Sequence, residues 1–169
     1  MHWAMGVELT VPMDKIPMTP EGHLSLKEEL RKLTDVERLK ISREIGVARE
    51  HGDLRENAEY HAAKDKQGMI EARVAEIEDK LSRAEVIDTT ALTGEVVRFG
   101  AYVKLEEGDS GKAVEYRIVG PDESDIERGT VSVSSPLARA VIGKRVGDEV
   151  EVRAPGGTRV YEIMGVRWR

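Results

Sequence analysis

His51-Gly52-Asp53-Leu54-Arg55-Glu56-Asn57-Ala58-Glu59-Tyr60 is the stretch on which the reading of this chain turns. On either side of it apolar residues recur at spacings of three and four, as they do along one face of an α-helix. Inside it, Gly52 lacks a Cβ and can take the left-handed conformation that ends a helix. Asp53, with Glu56 three residues later, has the spacing of a helix start with a capping box. Two helices joined by so short a turn must pack antiparallel on each other. The turn then carries two carboxylates at the far end of a hairpin, with almost no chain around them.

The second helix is the more regular of the two. Tyr60, Ala63, Gln67, Ile70, Val74, Ile77, Leu81 and Ala84 alternate by three and four from end to end, which is a coiled-coil seam. The first helix starts at Met18-Thr19-Pro20-Glu21-Gly22, with Thr19 as N-cap and Pro20 at the first helical position. Leu26, Leu30 and Leu33 open its seam, and Ile41, Ile45 and Ala48 resume it. Thr34, Asp35 and Glu37 interrupt it in between. Helices of about 30 residues rising ~1.5 Å per residue give an arm of roughly 45 Å.

Beyond Asp88 the apolar period changes from helical to alternating. Residues 94–99, 101–105, 113–119, 130–133, 149–153 and 159–166 read as short strands separated by Gly- and Asp-rich turns. Ala154-Pro155-Gly156-Gly157-Thr158 reads as a hairpin turn, and 137–142 as one short helix. The fold class is therefore α+β. An irregular N-terminal extension (1–17) precedes an antiparallel two-helix coiled coil (18–90) and a mostly antiparallel β domain crossed by one helix (91–169).

Composition fits an elongated helical segment plus a modest β domain better than one large core: charged residues make up 34% and aromatic residues 4%. The net charge is −6, and the acidic excess lies mostly in the first half. Autonomous binding to a nucleic-acid backbone needs clustered cationic charge and is not expected. The chain has no Cys, which excludes disulfides and thiolate metal sites and suits a reducing compartment. No apolar run approaches membrane-spanning length, and residues 1–12 lack the pattern of a signal peptide. The expected location is the cytoplasm, without membrane contact, and the free protein is expected to be a monomer.

Two readings of Asp53 and Glu56 compete. As a capping box, both side chains satisfy backbone N–H groups and do nothing else. As functional groups, they are hard oxygen ligands suited to Mg²⁺, which keeps several waters and takes one or two carboxylates from any one partner. Periodicity and capping do not choose between them.

The wider sequence does choose. Residues 52–64, Gly-Asp-Leu-Arg-Glu-Asn-Ala-Glu-Tyr-His-Ala-Ala-Lys, followed by Gln67-Gly68, resemble the signature of the GreA/GreB transcript cleavage factors of bacterial RNA polymerase. Leu81-Ser82-Arg83-Ala84-Glu85-Val86-Ile87-Asp88 matches too. So do Tyr116-Arg117-Ile118-Val119-Gly120, Ser132-Val133-Ser134-Ser135-Pro136-Leu137-Ala138-Arg139 and Pro155-Gly156-Gly157. The resemblance runs from Met13 to about Val166, and the Ala-rich second helix looks like the GreA branch. It departs at Leu39, where many members have Pro, at Arg55, where many have Ser, and in the extra N-terminal dozen residues.

The resemblance implies a C-terminal domain of the FKBP-like class and a coiled coil that enters the polymerase secondary channel. Asp53 and Glu56 match the family's two tip acids. There they would help hold Mg²⁺ jointly with the polymerase, and the extruded 3′ end of a backtracked nascent RNA would be cleaved by the polymerase's own activity. On this reading the chain is not itself an enzyme. Ser134, Ser135, Pro136 and Leu137 belong by resemblance to the surface that docks on the polymerase, although by themselves they equally form a helix start. Arg43, Arg49, Arg55 and Tyr60 are candidates for lying near RNA. Against this, Glu37, Glu44 and Glu50 interleave with the cations, and Tyr60 sits on the seam. His61 reads as a solvated helix residue.

Three rivals are weighed. An inhibitory channel-occupying paralogue would alter the tip acids, which are both present here. A peptidyl-prolyl isomerase or chaperone would need an aromatic-lined cleft, for which residues 92–169 offer only Phe99, Tyr102, Tyr116, Tyr161 and Trp168. A stand-alone metal hydrolase would need more ligands than two exposed carboxylates.

Overall fold

The computed structural model describes residues 15–169. The chain forms two compact units. One is His23–Arg83; the other joins the described residues up to Gly22 with Ala84–Arg169.

In the first unit, α1 (Pro20–Lys32) passes through a π-helical turn (Leu33–Glu37) into α2 (Arg38–Arg49), and α3 (Ala58–Ser82) returns beside them. The pairs Arg73–Glu29, Arg38–Glu71 and Lys66–Glu44 link the two sides in opposite chain order, as antiparallel packing requires. Ile41 and Ile45 are buried against Ala63, Ile70 and Val74, with Leu30, Leu33 and Tyr60 packed around them.

The π-helical turn explains the interrupted seam. A strict three-four continuation from Leu33 would place seam positions at Glu37, Lys40, Glu44 and Val47. The apolar set actually lies one residue later, at Ile41, Ile45 and Ala48, which are 1%, 6% and 4% exposed, whereas Val47 is 56% exposed. A π-turn holds one extra residue, so the seam that slips by one in sequence stays aligned in space. The Arg38 N–H reaches back five residues to the Leu33 carbonyl. The Thr34 hydroxyl donates to the Leu30 carbonyl at 3.0 Å, within the turn of the disturbed ladder.

In the second unit, the sheet order is β5-β4-β3-β7-β6, from β3 (Tyr102–Glu107), β4 (Ala113–Val119), β5 (Thr130–Ser132), β6 (Glu149–Ala154) and β7 (Gly157–Arg167). Every neighbouring pair is antiparallel except β4–β5, which is parallel. Val103 and Leu105 of β3 and Val150 and Val152 of β6 alternate inward, and α4 (Pro136–Val141) contributes Ala138 and Val141 to the same core.

Two expectations are corrected here. Residues 94–99 are not a strand: they make one isolated bridge, Val96 with Arg145. Gly94 and Gly100 turn the chain at positive φ on either side, while Val97 stays buried and donates to the Lys144 carbonyl at 2.8 Å. The extension 1–17 is not irregular to its end, although its residues before Lys15 lie outside the described ones. Ile16–Met18 forms β1, paired in parallel with β2 (Ala84–Val86), so the end of the expected extension, with Met18, and a stretch expected near the end of the arm form a small two-stranded sheet.

Around that small sheet, Glu123 receives the Thr19 N–H, the Thr19 hydroxyl and the Gly120 N–H. Arg117 pairs with Glu21 at 3.0 Å. A side chain at Gly120 would fall 2.2 Å from the Pro17 carbonyl oxygen, so only glycine fits there. Thr19 caps α1 as expected, accepting from the Gly22 N–H at 3.1 Å.

Candidate functional site

The tip of the hairpin is longer than the sequence reading placed it. α2 ends at Arg49, Gly52 turns at φ 109°, and α3 begins only at Ala58. Asp53 is therefore not the N-cap of the second helix. Asn57 is: it has extended backbone (φ −85°, ψ 96°), and its side chain accepts from the Tyr60 N–H at 3.0 Å. Its carboxamide N–H₂ also donates to the Ala48 carbonyl at the end of α2. The sequence signal was present, because Asn57 stands three residues before Tyr60, the first residue of the regular seam.

Losing the cap frees the two acids. One oxygen of Asp53 accepts from the Arg55 N–H at 3.0 Å, an Asx-type turn within the loop. Among the described residues none gives Glu56 a hydrogen bond or an ion pair. Residues 51–56 are all exposed, and Asp53 and Glu56 border an open hollow of about 420 Å³ together with His51 and Glu59. His51 Nδ1 lies 2.8 Å from Glu59 Oε2. His61, expected to be merely solvated, places Nε2 3.1 Å from the Arg55 carbonyl. The turn thus presents two hard oxygen donors to solvent, which suits Mg²⁺ in donor chemistry. Among the described residues no group of three or more His, Cys, Asp or Glu side chains is placed to hold a metal ion.

The basic residues stand in different surroundings. Arg43 lines a groove of about 630 Å³ between α2 and α3 with Lys40, Lys66, Glu44 and Glu59, a mixed-charge lining. Arg49 lies instead against Tyr60, its guanidinium carbon 5.9 Å from the ring centroid. Tyr60 is half-buried and packs on the Ile41–Val74 cluster. Arg55 stands in the turn itself. In the other unit, Ser135 is the N-cap of α4, accepting from the Ala138 N–H at 3.1 Å. Ser134 and Pro136 are exposed, and Leu137 packs partly on the sheet core.

Residues 16–86 match the family model "Transcription elongation factor, N-terminal", and 92–167 match "Transcription elongation factor, GreA/GreB, C-term". The chain belongs to the GreA/GreB family of transcription elongation factors. Transcription elongation factor GreA of Phenylobacterium zucineum is 56% identical over 156 residues, 92% of this chain and 99% of that protein. GreA of Caulobacter vibrioides is 54% identical over the same shares. Among solved structures, GreA factor homolog 1 (Gfh1) of Thermus thermophilus is 28% identical, covering 90% of this chain and 99% of its own, with a TM-score of 0.41. Among the described residues no helix is long and apolar enough to cross a membrane.

Proposed function

We propose that the chain is a GreA-type transcript cleavage factor that acts on bacterial RNA polymerase in the cytoplasm. The observation that carries the reading is the tip: two carboxylates end a two-helix hairpin, and neither is consumed by capping a helix. α3 alone has 25 residues, about 38 Å at ~1.5 Å per residue, which is long enough to carry the tip deep into a narrow channel.

Asp53 and Glu56 would hold Mg²⁺ jointly with acidic groups of the polymerase. Bound Mg²⁺ supplies Lewis acidity at a phosphoryl oxygen and eases deprotonation of an attacking water. Asp53 offers the oxygen that does not accept from the Arg55 N–H, and Glu56 offers a carboxylate with which no described residue pairs. The exposed turn leaves room for the 3′ end of a nascent RNA. The chain donates ligands to a reaction that the polymerase carries out, and is not a nuclease by itself. Ser134, Ser135, Pro136 and Leu137 are proposed as part of the surface by which the β unit docks on the polymerase. Arg43, Arg49 and Arg55 are proposed to lie toward RNA, with Arg49 held beside Tyr60.

The test is RNA cleavage in stalled elongation complexes. Wild-type protein should stimulate cleavage, while Asp53→Ala and Glu56→Ala should not, yet both should compete with wild type for polymerase. Full cleavage by both variants would overturn the reading. Hydrolysis of RNA by the protein free of polymerase would favour a stand-alone hydrolase instead.

A further inference from the structure

His61 makes a bond that neither helix formation nor capping requires. Its Nε2 lies 3.1 Å from the carbonyl oxygen of Arg55, six residues back. A carbonyl only accepts, so the imidazole proton sits on Nε2. That carbonyl belongs to the peptide group joining Arg55 to Glu56. The Arg55 N–H is itself held, by Asp53 at 3.0 Å. The backbone of Arg55 is therefore gripped on both sides, by one of the two tip acids and by a residue rooted in the first turns of α3.

The ring is well placed to grip. The His61 N–H bonds back to the Asn57 carbonyl at 3.1 Å, inside the helix. The imidazole meets Tyr60 edge-on, with centroids 5.5 Å apart and planes at 68°. Glu56, by contrast, is exposed, and among the described residues none bonds to its side chain. Its position depends on the peptide plane from which it departs. A ligand-bearing site tolerates only about 0.5 Å of misplacement before chemistry suffers.

We propose that His61 is a positioning residue for transcript cleavage: its Nε2–H fixes the Arg55–Glu56 peptide, and thereby sets where the Glu56 carboxylate stands relative to Asp53. This rests on the reading of Asp53 and Glu56 as Mg²⁺ ligands shared with the polymerase. The neighbouring His51–Glu59 pair does not touch this peptide, so the role falls to His61 alone of the two.

The experiment compares full-length wild type, His61→Phe and His61→Gln, with Glu56→Ala as the reference. Phenylalanine keeps the ring and loses the donor; glutamine keeps a donor at similar reach. In the free protein, backbone ¹⁵N relaxation should show Arg55 and Glu56 moving faster in His61→Phe than in wild type, and near wild type in His61→Gln. In stalled complexes, the Mg²⁺ concentration for half-maximal cleavage should rise about tenfold for His61→Phe, in line with the loss of a group that orients a metal ligand. His61→Gln should recover most of it, and all variants should compete for polymerase. The proposal is overturned if His61→Phe matches wild type in relaxation and Mg²⁺ profile, if His61→Gln is as impaired as His61→Phe, or if His61→Phe loses competition and helix content. Cleavage by Glu56→Ala at the wild-type level would instead overturn the underlying reading, whatever the relaxation data show.

Discussion

The carboxamide of Asn57 reaches from the start of α3 to the carbonyl of Ala48, near the end of α2. The same side chain accepts from the Tyr60 N–H. One residue thus satisfies a donor that the start of α3 leaves free and adds a second donor to a carbonyl at the end of α2, which the His51 N–H already reaches at 3.1 Å. Asn57→Ala should cost the arm about 1–2 kcal/mol, the usual worth of an N-cap with one further hydrogen bond. Asn57→Asp keeps the cap but sets a carboxylate against the Ala48 carbonyl, so it should recover only part of the loss. Thermal melts followed by circular dichroism give the ranking. Equal stability of all three proteins would show that the tie is idle.

Asp53 and Glu56 make the complementary case. Because neither caps α3, Asp53→Ala and Glu56→Ala should each change arm stability by less than about 0.5 kcal/mol, as exposed substitutions do. A capping box would have cost about 1 kcal/mol or more for Asp53. The same melts decide it. A loss as large as that of Asn57→Ala would restore the cap reading.

The hairpin, its seam and its acidic tip were legible because helical periodicity and turn residues are local signals. The helix start was misplaced because Asp53 and Asn57 are both good N-caps, and only the space needed to reverse between packed helices separates them. The β1–β2 pairing was not legible: Ile16–Met18 and Ala84–Val86 are three residues each and meet across the whole arm. Nothing in either segment alternates long enough to announce a strand. Likewise the parallel register of β5 on β4 is set by tertiary packing, and Val97 looks like a strand residue because it is buried, not because it is paired along a ladder. The role of His61 was missed because its partner is a backbone carbonyl, which no side-chain spacing reveals.

Arm stability should fall in acid. The hydrogen bond from Arg73 holds the Glu29 carboxyl below its ordinary value of 4.5, and that from Arg38 does the same for Glu71. Glu76 is lowered too, first by Lys80 and then by Arg73. A carboxylate depressed in the fold stabilises it above the unfolded pKa, and that contribution is lost as pH falls through the folded value. The melting midpoint should therefore hold steady from neutral pH to about 5.5 and decline below about 4.5. These groups are largely exposed, so the decline should be modest and should shrink in high salt. The double variant Arg38→Gln/Arg73→Gln should show a shallower fall. An identical acid profile in that variant would show that these pairs do not carry the dependence.

The π-helical turn makes the sharpest structural test, because it predicts that removing a residue can be harmless. Deleting Asp35 takes out the extra residue between Leu33 and Ile41, so an unbroken α-helix then carries Leu26, Leu30, Leu33, Ile41, Ile45 and Ala48 on one three-four seam. Melting stability and helix content should stay within about 1 kcal/mol of wild type, since the ladder gains regularity as the turn is lost. Deleting Ser42, about two turns further on, leaves the π-turn in place and rotates Ile45 and Ala48 away from α3 by about 100°. That should cost several kcal/mol, with roughly 1.5–3 kcal/mol attached to the buried isoleucine alone. Equal damage from the two deletions would mean that the turn at Leu33–Glu37 does not absorb the slip in the seam.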